Sequence, residues 1–299
     1  MKKIIVIGGP TASGKTGLAI ELAKRYNTEI INADSRQFYK YMNIGTAKPT
    51  PDEQLQAKHH FIDFLEPDEE YNAGRFEIDA LKTISEIHEK NDYAIVVGGS
   101  GLYLRTLCEG MDALPETDPE LREKYNQLFK DQGLETIQKL LFEKDPDYYL
   151  IVDIKNPHRI IRALEVIEQT GTTYSSLRKK VKAERPFKII KIAIDISRDE
   201  LYERINVRVD KMIDAGLVDE VKNLTKYRDC NALNTVGYID IFSYLDGTIS
   251  IEEAIELIKK NSRNYAKRQM TWFNKDEEFH WFSAEEFDGI PEYIESQLE

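Results

Sequence analysis

The stretch KIIVIGGPTASGKTGLAIELAKRY, residues 3–26, decides the fold. It opens with a short β-rich run that is typical of a buried parallel strand. A glycine-rich turn follows, and Leu18, Ala19 and Leu22 then recur with helical spacing. Residues 9–16 fit the pattern G-x-x-x-x-G-K-[ST], and they stand between a strand and a helix, which is the context that this phosphate-binding motif requires.

Each part of this motif has a role in holding phosphate. Backbone N–H groups at the positive end of a helix bind phosphate oxygens, and glycine allows a close approach. Lys15 adds a mobile positive charge, and the Thr16 hydroxyl can ligate Mg²⁺. The motif does not identify the phosphate compound. We therefore predict a diphosphate or nucleotide site at Gly9, Pro10, Thr11, Ala12, Ser13, Gly14, Lys15 and Thr16, with Thr16 as the metal ligand.

Two further strands are predicted in the first half of the chain. TEIINA ends just before Asp34, and DYAIVV ends at Gly98. Phe76, Ala80 and Ile84 mark an amphipathic helix between them. Strands that alternate with helices predict an α/β fold: a P-loop NTPase-like, mainly parallel sheet flanked by helices.

The pattern changes near the middle of the chain. From about Pro115 to Arg185 no convincing strand is visible, and three helices are predicted, at 118–130, 133–143 and 157–169. The β-rich pattern returns with KIIKIAIDI. We therefore predict an α/β core interrupted by an all-helical insertion, and the three segments are 1–114, 115–187 and 188–299.

Composition and charge limit the class of protein. The 299 residues carry a net charge of −12 and have the apolar content of an ordinary soluble protein, which excludes disorder and disfavours nonspecific polyanion binding. Two basic runs stand out, 175–191 with seven basic residues and 257–275 with six. The apolar run after Lys3 is too short for a signal peptide and no segment is long enough to span a membrane, so we expect a cytoplasmic protein without membrane contact.

Asp34 and the turn after DYAIVV are open to several interpretations. Asp34 follows a strand and could be a magnesium ligand, a general base or a helix cap. The turn Gly98-Gly99-Ser100-Gly101 could offer N–H groups and a hydroxyl to a diphosphate, or it could be only a tight strand-to-helix connection.

Several motifs in this order resemble one enzyme family. GPTASGKT, DSRQFYKYMNIGTAKP (34–49) and GGSGLYLRTL (98–107) are similar to segments of the tRNA dimethylallyltransferases, also called tRNA isopentenyltransferases, of the bacterial type. The likeness continues through HRIIRALEV (158–166), RINVRVDKMIDAGLVDEV (204–221) and YAKRQMTWF (265–273), and covers nearly the whole chain.

The resemblance implies a reaction. A dimethylallyl group passes from dimethylallyl diphosphate to N6 of the adenosine immediately 3′ of the anticodon, in tRNAs reading codons that begin with U. The products are N6-(dimethylallyl)adenosine and diphosphate, and no ATP is consumed. We expect Mg²⁺ as the cofactor, the tRNA anticodon arm as the partner of the helical insertion, and a monomeric enzyme.

The resemblance also implies residue roles. Asp34 would be the catalytic base, Ser100 would add a hydroxyl contact to the leaving diphosphate, and Arg208 would be a second diphosphate clamp. Arg204 shares the helix face of Arg208, and either one could instead be a solvated charge. Lys267 and Arg268 stand among aromatic residues, a mixture that suits phosphates and unstacked bases. The predicted tRNA-binding residues are Asp34, Ser35, Arg36, Gln37, Ser100, Arg122, His158, Arg159, Ile160, Ile161, Arg162, Lys267 and Arg268.

Three other functions fit part of the sequence. A P-loop small-molecule kinase would explain Gly9–Thr16, and a prenyltransferase acting on free AMP or ADP would explain the cradle with Asp34. A noncatalytic RNA-binding module would explain only the basic runs. The basic runs and the helical insertion argue against a mononucleotide acceptor, which needs neither.

Overall fold

The computed structural model describes residues 1–179 and 181–297, and its sheet is parallel throughout. The strand order is β3-β2-β4-β1-β5-β6. The strands are β1 (Lys3–Gly8), β2 (Ile30–Asn32), β3 (His59–His60), β4 (Tyr93–Val97), β5 (Lys188–Ile194) and β6 (Phe279–Phe282). This confirms the predicted mainly parallel, P-loop-like α/β fold.

Helices make up most of the remaining structure. Those of the core are α1 (Lys15–Arg25), α2 (Pro51–Gln56), α3 (Ala73–His88), α4 (Gly101–Glu109), α10 (Arg198–Asp214), α11 (Leu217–Asn223), α12 (Tyr238–Leu245), α13 (Ile251–Phe273) and α14 (Ile290–Ser296). Those of the insertion are α5 (Pro119–Gln132), α6 (Leu134–Lys144), α7 (Pro146–Tyr149), α8 (Pro157–Thr170) and α9 (Tyr174–Leu177). Among the described helices, none combines the length and apolar character needed to cross a membrane.

The sheet is apolar on both faces, as expected for a parallel sheet covered by helices. Along β1, Ile4 and Val6 face one core, and Ile5 and Ile7 face the other, because side chains alternate along a strand. Helices α1 and α14 cover the second face. Helices α3, α4 and α10 to α13 contribute to the first. The phosphate motif therefore lies at the end of a fully buried strand, which fixes its position.

The chain divides into two compact units, Met1–Cys108 with Glu184–Glu299, and Glu109–Ala183. These divisions fall a few residues before the predicted boundaries of the insertion, 115 and 187. The described part of the insertion contains helices α5 to α9 without a strand, around a core that includes Ile137, Leu141 and Leu164. Lys180, part of the basic run 175–191, lies outside the described residues.

The carboxyl ends of three neighbouring strands bring the site together. β2, β4 and β1 lie side by side, so the turns that follow them share one edge of the sheet. Contact between these turns is close. A Cβ on Gly98 would lie 2.4 Å from the Ala33 carbonyl oxygen, and this spacing requires glycine. Asp34, the next residue after Ala33, is thereby held beside the turn that follows β4.

The edge of the sheet is a strand that the sequence pattern does not predict. His59 and His60 pair with β2 as the two-residue strand β3. The His60 imidazole Nε2 lies 2.5 Å from the Glu29 carboxylate. Such a short strand carries no alternating pattern, so periodicity could not reveal it.

Candidate active site

The turn after β1 has the backbone shape of a phosphate cradle. Gly14 caps α1 with φ of 97°, and Ala12 adopts φ of 62°, so the loop reverses before the helix begins. Ser13 is only 2% exposed, and its hydroxyl has no hydrogen-bond partner among the residues that the structure describes. A buried hydroxyl without a partner is costly unless a ligand completes it. The backbone N–H of Thr11, in contrast, already has a protein partner, because it donates to the Gln269 side chain at 2.8 Å.

A cavity of about 720 Å³ opens against this cradle. Its wall combines phosphate-loop residues, the strand-end carboxylate of Asp34 and two arginines of α10, Arg204 and Arg208. A cavity of this size accepts a small organic ligand with its charged group. The structure thus brings the predicted cradle, the predicted base and the predicted clamp to one cavity.

Two cations on this wall are affected by burial. Burial lowers the pKa of Lys15 to about 7, the Asp34 carboxylate opposes this shift, and Arg208 adds to it. Burial also lowers the pKa of Arg208, again opposed by Asp34. Arginine stays protonated even so. The Lys15 ammonium donates to the Pro10 carbonyl. These partly desolvated cations form a strong site for a multiply charged anion.

Asp34 is held without a helix. Its Oδ1 accepts the Arg36 N–H at 3.1 Å, an Asx-turn pattern, and residues 35–38 form turns. The helix-cap interpretation is therefore wrong, because no helix begins there. Among the described residues, Oδ2 accepts no hydrogen bond, which leaves it available to a ligand in the cavity.

Ser100 takes a different place from the one expected. Its Oγ accepts the Ser35 N–H at 3.1 Å and donates to the Ser35 hydroxyl at 3.2 Å. Gly98 and Gly99 line the cavity, whereas Ser100 is absent from its wall. The hydroxyl ties the turn after β4 to the turn that holds Asp34, and so it acts on the site through Ser35.

The residues after Ser35 are also anchored in the protein. The Arg36 guanidinium donates to the carbonyl of Asn231 at 2.9 Å and to that of Asn234 at 3.5 Å. The buried Gln37 amide donates to the carbonyls of Thr46 and Ala47, which border the cavity. Their roles in tRNA binding stay predictions, and the contacts show that they also shape the cavity wall.

The two α10 arginines differ in environment. Arg204 is exposed and pairs with Glu200 one turn earlier, at 2.7 Å. Arg208 is half-buried and pairs electrostatically with Asp34. Arg208 is therefore the better placed of the two for an anion inside the cavity.

The predicted tRNA-binding residues of the insertion fall into two groups. His158 and Arg159 are exposed in the first turn of α8. Ile160 and Ile161 are 0% and 2% exposed and pack in the core of the insertion, so their side chains offer no surface to a ligand. This corrects their inclusion in a direct tRNA-binding set: they support the helix that carries the basic residues.

A buried carboxylate organises the other two arginines. Glu165 is 0% exposed, accepts from Arg122 Nε at 2.6 Å and also pairs with Arg162. Arg162 donates further to the Pro115 carbonyl. Both arginines keep part of their surface exposed while one edge of each is fixed.

The last turns of α13 combine charge with aromatic surface. Lys267 and Arg268 are exposed, and the Arg268 guanidinium lies 5.7 Å from the Tyr265 ring centroid. Tyr265 lines the cavity, and burial raises its pKa to about 12, with Asp34 adding to the shift. Phe273, the last residue of α13, is in the core.

Two residues of this site escaped the sequence analysis. Gln269 lies on the cavity wall and forms hydrogen bonds with both the phosphate loop and the turn after β4. Glu220 accepts the N–H groups of residues 43, 44 and 45 and the Tyr238 hydroxyl, which fixes the loop that carries Gly45. A glutamine or glutamate on a helix looks like any surface residue, and only long-range contacts reveal these two.

Fold and site define a class: an α/β protein that uses a P-loop to hold an anionic ligand beside a strand-end carboxylate. A sequence profile described as IPP transferase matches residues 37–276, which is most of the chain. The chain belongs to this family. A tRNA dimethylallyltransferase of Cytophaga hutchinsonii is 50% identical over 100% of this chain and 98% of its own, and one of Christiangramia forsetii is 48% identical over 99% and 98%.

Solved structures agree with this assignment. The full-length tRNA isopentenylpyrophosphate transferase of Bacillus halodurans matches with a TM-score of 0.74 at 36% identity, covering 100% of this chain and 97% of its own. A eukaryotic dimethylallyltransferase captured acting on tRNA matches with a TM-score of 0.81 at 29% identity, covering 95% of this chain and 74% of its own.

The lowered pKa of Lys15 predicts a pH-dependent stability. Lys15 has a pKa near 7 when folded, against an ordinary 10.5, so between these values the unfolded chain binds the extra proton. Stability of the wild type should therefore rise with pH in this range. Lys15→Met should be more stable than the wild type near pH 6, and the gap should shrink above pH 7 by at most about 1.4 kcal/mol per pH unit.

Urea unfolding of both proteins between about pH 6 and pH 9 measures this gap. Lys24→Met, on the exposed side of the same helix, is the matched control and should show a constant difference from the wild type. A constant gap for Lys15→Met would contradict the inferred environment of Lys15.

Proposed function

We propose that this enzyme transfers a dimethylallyl group from dimethylallyl diphosphate to N6 of the adenosine immediately 3′ of the anticodon in tRNA. The curated relatives are named tRNA dimethylallyltransferases, and one structural neighbour is a dimethylallyltransferase acting on tRNA. The observation that carries the chemistry is the single cavity shared by Lys15, Arg208 and Asp34. It offers cations to a leaving diphosphate and a carboxylate to an incoming amine.

Departure of the diphosphate is the step that needs the most electrostatic help. The allylic carbon–oxygen bond breaks, its electron pair stays on the diphosphate oxygen, and positive charge spreads over the allyl group. Fixed positive charges at the developing anion stabilise that transition state. Lys15 and Arg208 provide them, and the Ser13 hydroxyl can donate to a phosphate oxygen.

The amine needs help of the opposite kind. The N6 lone pair of adenine is delocalised into the ring, so N6 is a poor nucleophile. As its new bond to the allyl carbon forms, one N6 proton passes to a base, and a carboxylate within hydrogen-bond reach serves this role. Asp34 is the carboxylate at the turn after β2, and its Oδ2 is the oxygen that we assign to the proton.

Mg²⁺ is the metal that we propose for the diphosphate. The residues fit it, because Thr16 at the first turn of α1 lines the cavity and offers a hydroxyl oxygen beside the phosphate cradle. Mg²⁺ prefers oxygen ligands and commonly combines a few protein oxygens with substrate phosphates and water. Bound there, the ion would neutralise part of the diphosphate charge, and Thr16 would hold it.

The acceptor is a macromolecule in this proposal. An adenine stacked in the anticodon loop cannot reach a buried diphosphate, so it must be extruded into the cavity. Exposed histidine, arginine and lysine side chains of α8 and α13 supply contacts for the tRNA backbone on a chain that is otherwise acidic. We propose His158 and Arg159 on the insertion, and Lys267 with Arg268 on α13, as these contacts.

Transfer of label distinguishes this function from its rivals. Protein, Mg²⁺ and radiolabelled dimethylallyl diphosphate are incubated with unmodified tRNA, with free AMP, or with neither, and a parallel reaction contains γ-labelled ATP. We expect label in tRNA only. Label in AMP alone would indicate a free-nucleotide prenyltransferase, and phosphoryl transfer from ATP would indicate a kinase.

Asp34→Asn tests the base. The amide keeps the size of the side chain and can still accept the Arg36 N–H, but it cannot take a proton. We expect both substrates to bind nearly as before and kcat to fall by about 100- to 10,000-fold. Asp68→Asn, a change at an exposed aspartate outside the cavity, is the control and should keep the wild-type kcat. An unchanged kcat for Asp34→Asn would remove Asp34 as the base.

The α13 cations are tested by the salt dependence of tRNA binding. A Lys267→Ala/Arg268→Ala variant should bind tRNA more weakly, and the slope of log K against log salt concentration should decrease by up to about 2, one for each lost phosphate contact. Filter binding at several salt concentrations measures both. The control is Lys82→Ala/Lys90→Ala, which removes two exposed lysines outside the basic runs. Equal slopes for the two variants would exclude α13 from the footprint.

A further inference from the structure

One side chain bonds both of the turns that carry the chemistry. Gln269, near the end of α13, is 5% exposed. Its Oε1 accepts the Thr11 N–H of the phosphate loop at 2.8 Å, and its Nε2 donates to the Gly99 carbonyl at 2.9 Å. Gly99 immediately precedes Ser100, which bonds Ser35 next to Asp34. A short chain of hydrogen bonds therefore links the cradle to the turn of the proposed base.

The surrounding packing makes this link rigid. A Cβ on Gly99 would lie 2.4 Å from Gln269 Nε2, so the turn and the amide are in direct contact. The next turn of α13 repeats the arrangement. Trp272 lies against Gly101, which follows the turn after β4, and Phe273 lies against Gly8, which precedes the phosphate loop. Helix α13 thus holds both turns at once, and Gln269 is its polar contact to each.

We infer that Gln269 is a positioning residue that sets the spacing between the leaving diphosphate and the amine-activating carboxylate. The inference rests on the proposed function, because it concerns the distance between the two halves of that reaction. Misplacement of reacting groups by about 1 Å can cost about 100-fold in rate. Gln269 itself need not touch either substrate to have this effect.

The Gln269 side-chain amide suits this position because its two ends have different hydrogen-bonding roles. One end must accept a hydrogen bond and the other must donate one, and glutamine supplies both without charge. An ionised glutamate of the same size can accept from Thr11, but it would place a negative charge against the Gly99 carbonyl oxygen. A protonated glutamate has one donor and one acceptor again. Gln269→Glu should therefore be defective when ionised and regain function when protonated.

This difference provides the test. Steady-state kinetics of tRNA prenylation are measured for the wild type, Gln269→Glu and Gln269→Met between about pH 8.5 and pH 5.5. At the upper end we expect kcat of both variants to be about 10- to 100-fold below that of the wild type. The affinity for inorganic pyrophosphate, measured by calorimetry, should change by no more than about threefold. A lower kcat with nearly unchanged pyrophosphate affinity indicates a defect in the transfer step rather than in binding.

The pH profile identifies the cause. A buried carboxyl group has a raised pKa, so the ratio of Gln269→Glu to wild-type kcat should rise at least about fivefold as the pH falls. Gln269→Met has no titrating group, and its ratio should stay flat. Titration of the other charged groups of this cavity cancels, because both enzymes contain them. The titratable and charged residues of the lining are Lys15, Asp34, Arg36, Glu53, His59, Glu203, Arg204, Arg208, Lys211 and Tyr265.

Gln138→Glu is the matched control. Its amide donates to the Ile154 carbonyl at 2.8 Å within the insertion, it is not among the residues that line the cavity, and the kcat of this variant should match the wild type at every pH. Urea unfolding at each pH shows whether a lower kcat comes from a loss of folded protein. If Gln269→Glu does not fold, the kcat of Gln269→Met still tests the inference. Wild-type kcat in a Gln269 variant, or a flat Gln269→Glu ratio, would overturn the inference. A wild-type enzyme that transfers no label would instead overturn the proposed function.

Discussion

The site depends on the parallel alignment of three strands. Because β2, β4 and β1 are neighbours and run the same way, their carboxyl ends deliver Asp34, the Gly98–Gly101 turn and the phosphate loop to one edge. A side chain at Gly98 would collide with the Ala33 carbonyl in the turn of Asp34, and one at Gly99 would collide with the Gln269 amide of α13. Backbone packing therefore holds the turn after β4 against the turn of Asp34, and the Gln269 side chain joins it to the phosphate loop.

Charges of opposite sign lie on the cavity wall at this edge of the sheet. A chain with a net charge of −12 places Lys15 and Arg208 on one cavity wall, partly removed from water, with Asp34 beside them. Partial desolvation strengthens the interaction of each cation with an anion, because water screens it less. Diphosphate is such an anion, and it gains further negative charge at the bridging oxygen as the allylic bond breaks. In the proposed reaction, the same carboxylate that favours the charged forms of both cations accepts a proton from the amine.

Sequence reasoning reached the fold because each of its signals was local. The β-rich runs, the phosphate motif and the helical spacing of Phe76, Ala80 and Ile84 predict their elements from neighbouring residues alone, and the structure has them. The signals that failed were short or long-range. β3 has only two residues, and the contacts of Ser100 with Ser35, Gln269 with Thr11 and Glu165 with Arg122 join positions far apart in the chain. No spacing rule predicts such pairs, because they depend on the completed packing of helices on the sheet.

A crystal structure with a thio analogue of dimethylallyl diphosphate tests the central claim most directly, because the sulfur slows cleavage and keeps the ligand intact. Our account predicts that the diphosphate bonds the Ser13 hydroxyl and the Lys15 ammonium, with Arg208 on its other side. The allylic carbon should face the cavity on the side of Asp34. A diphosphate bound elsewhere, or an allyl group turned away from Asp34 with protein between them, would contradict it.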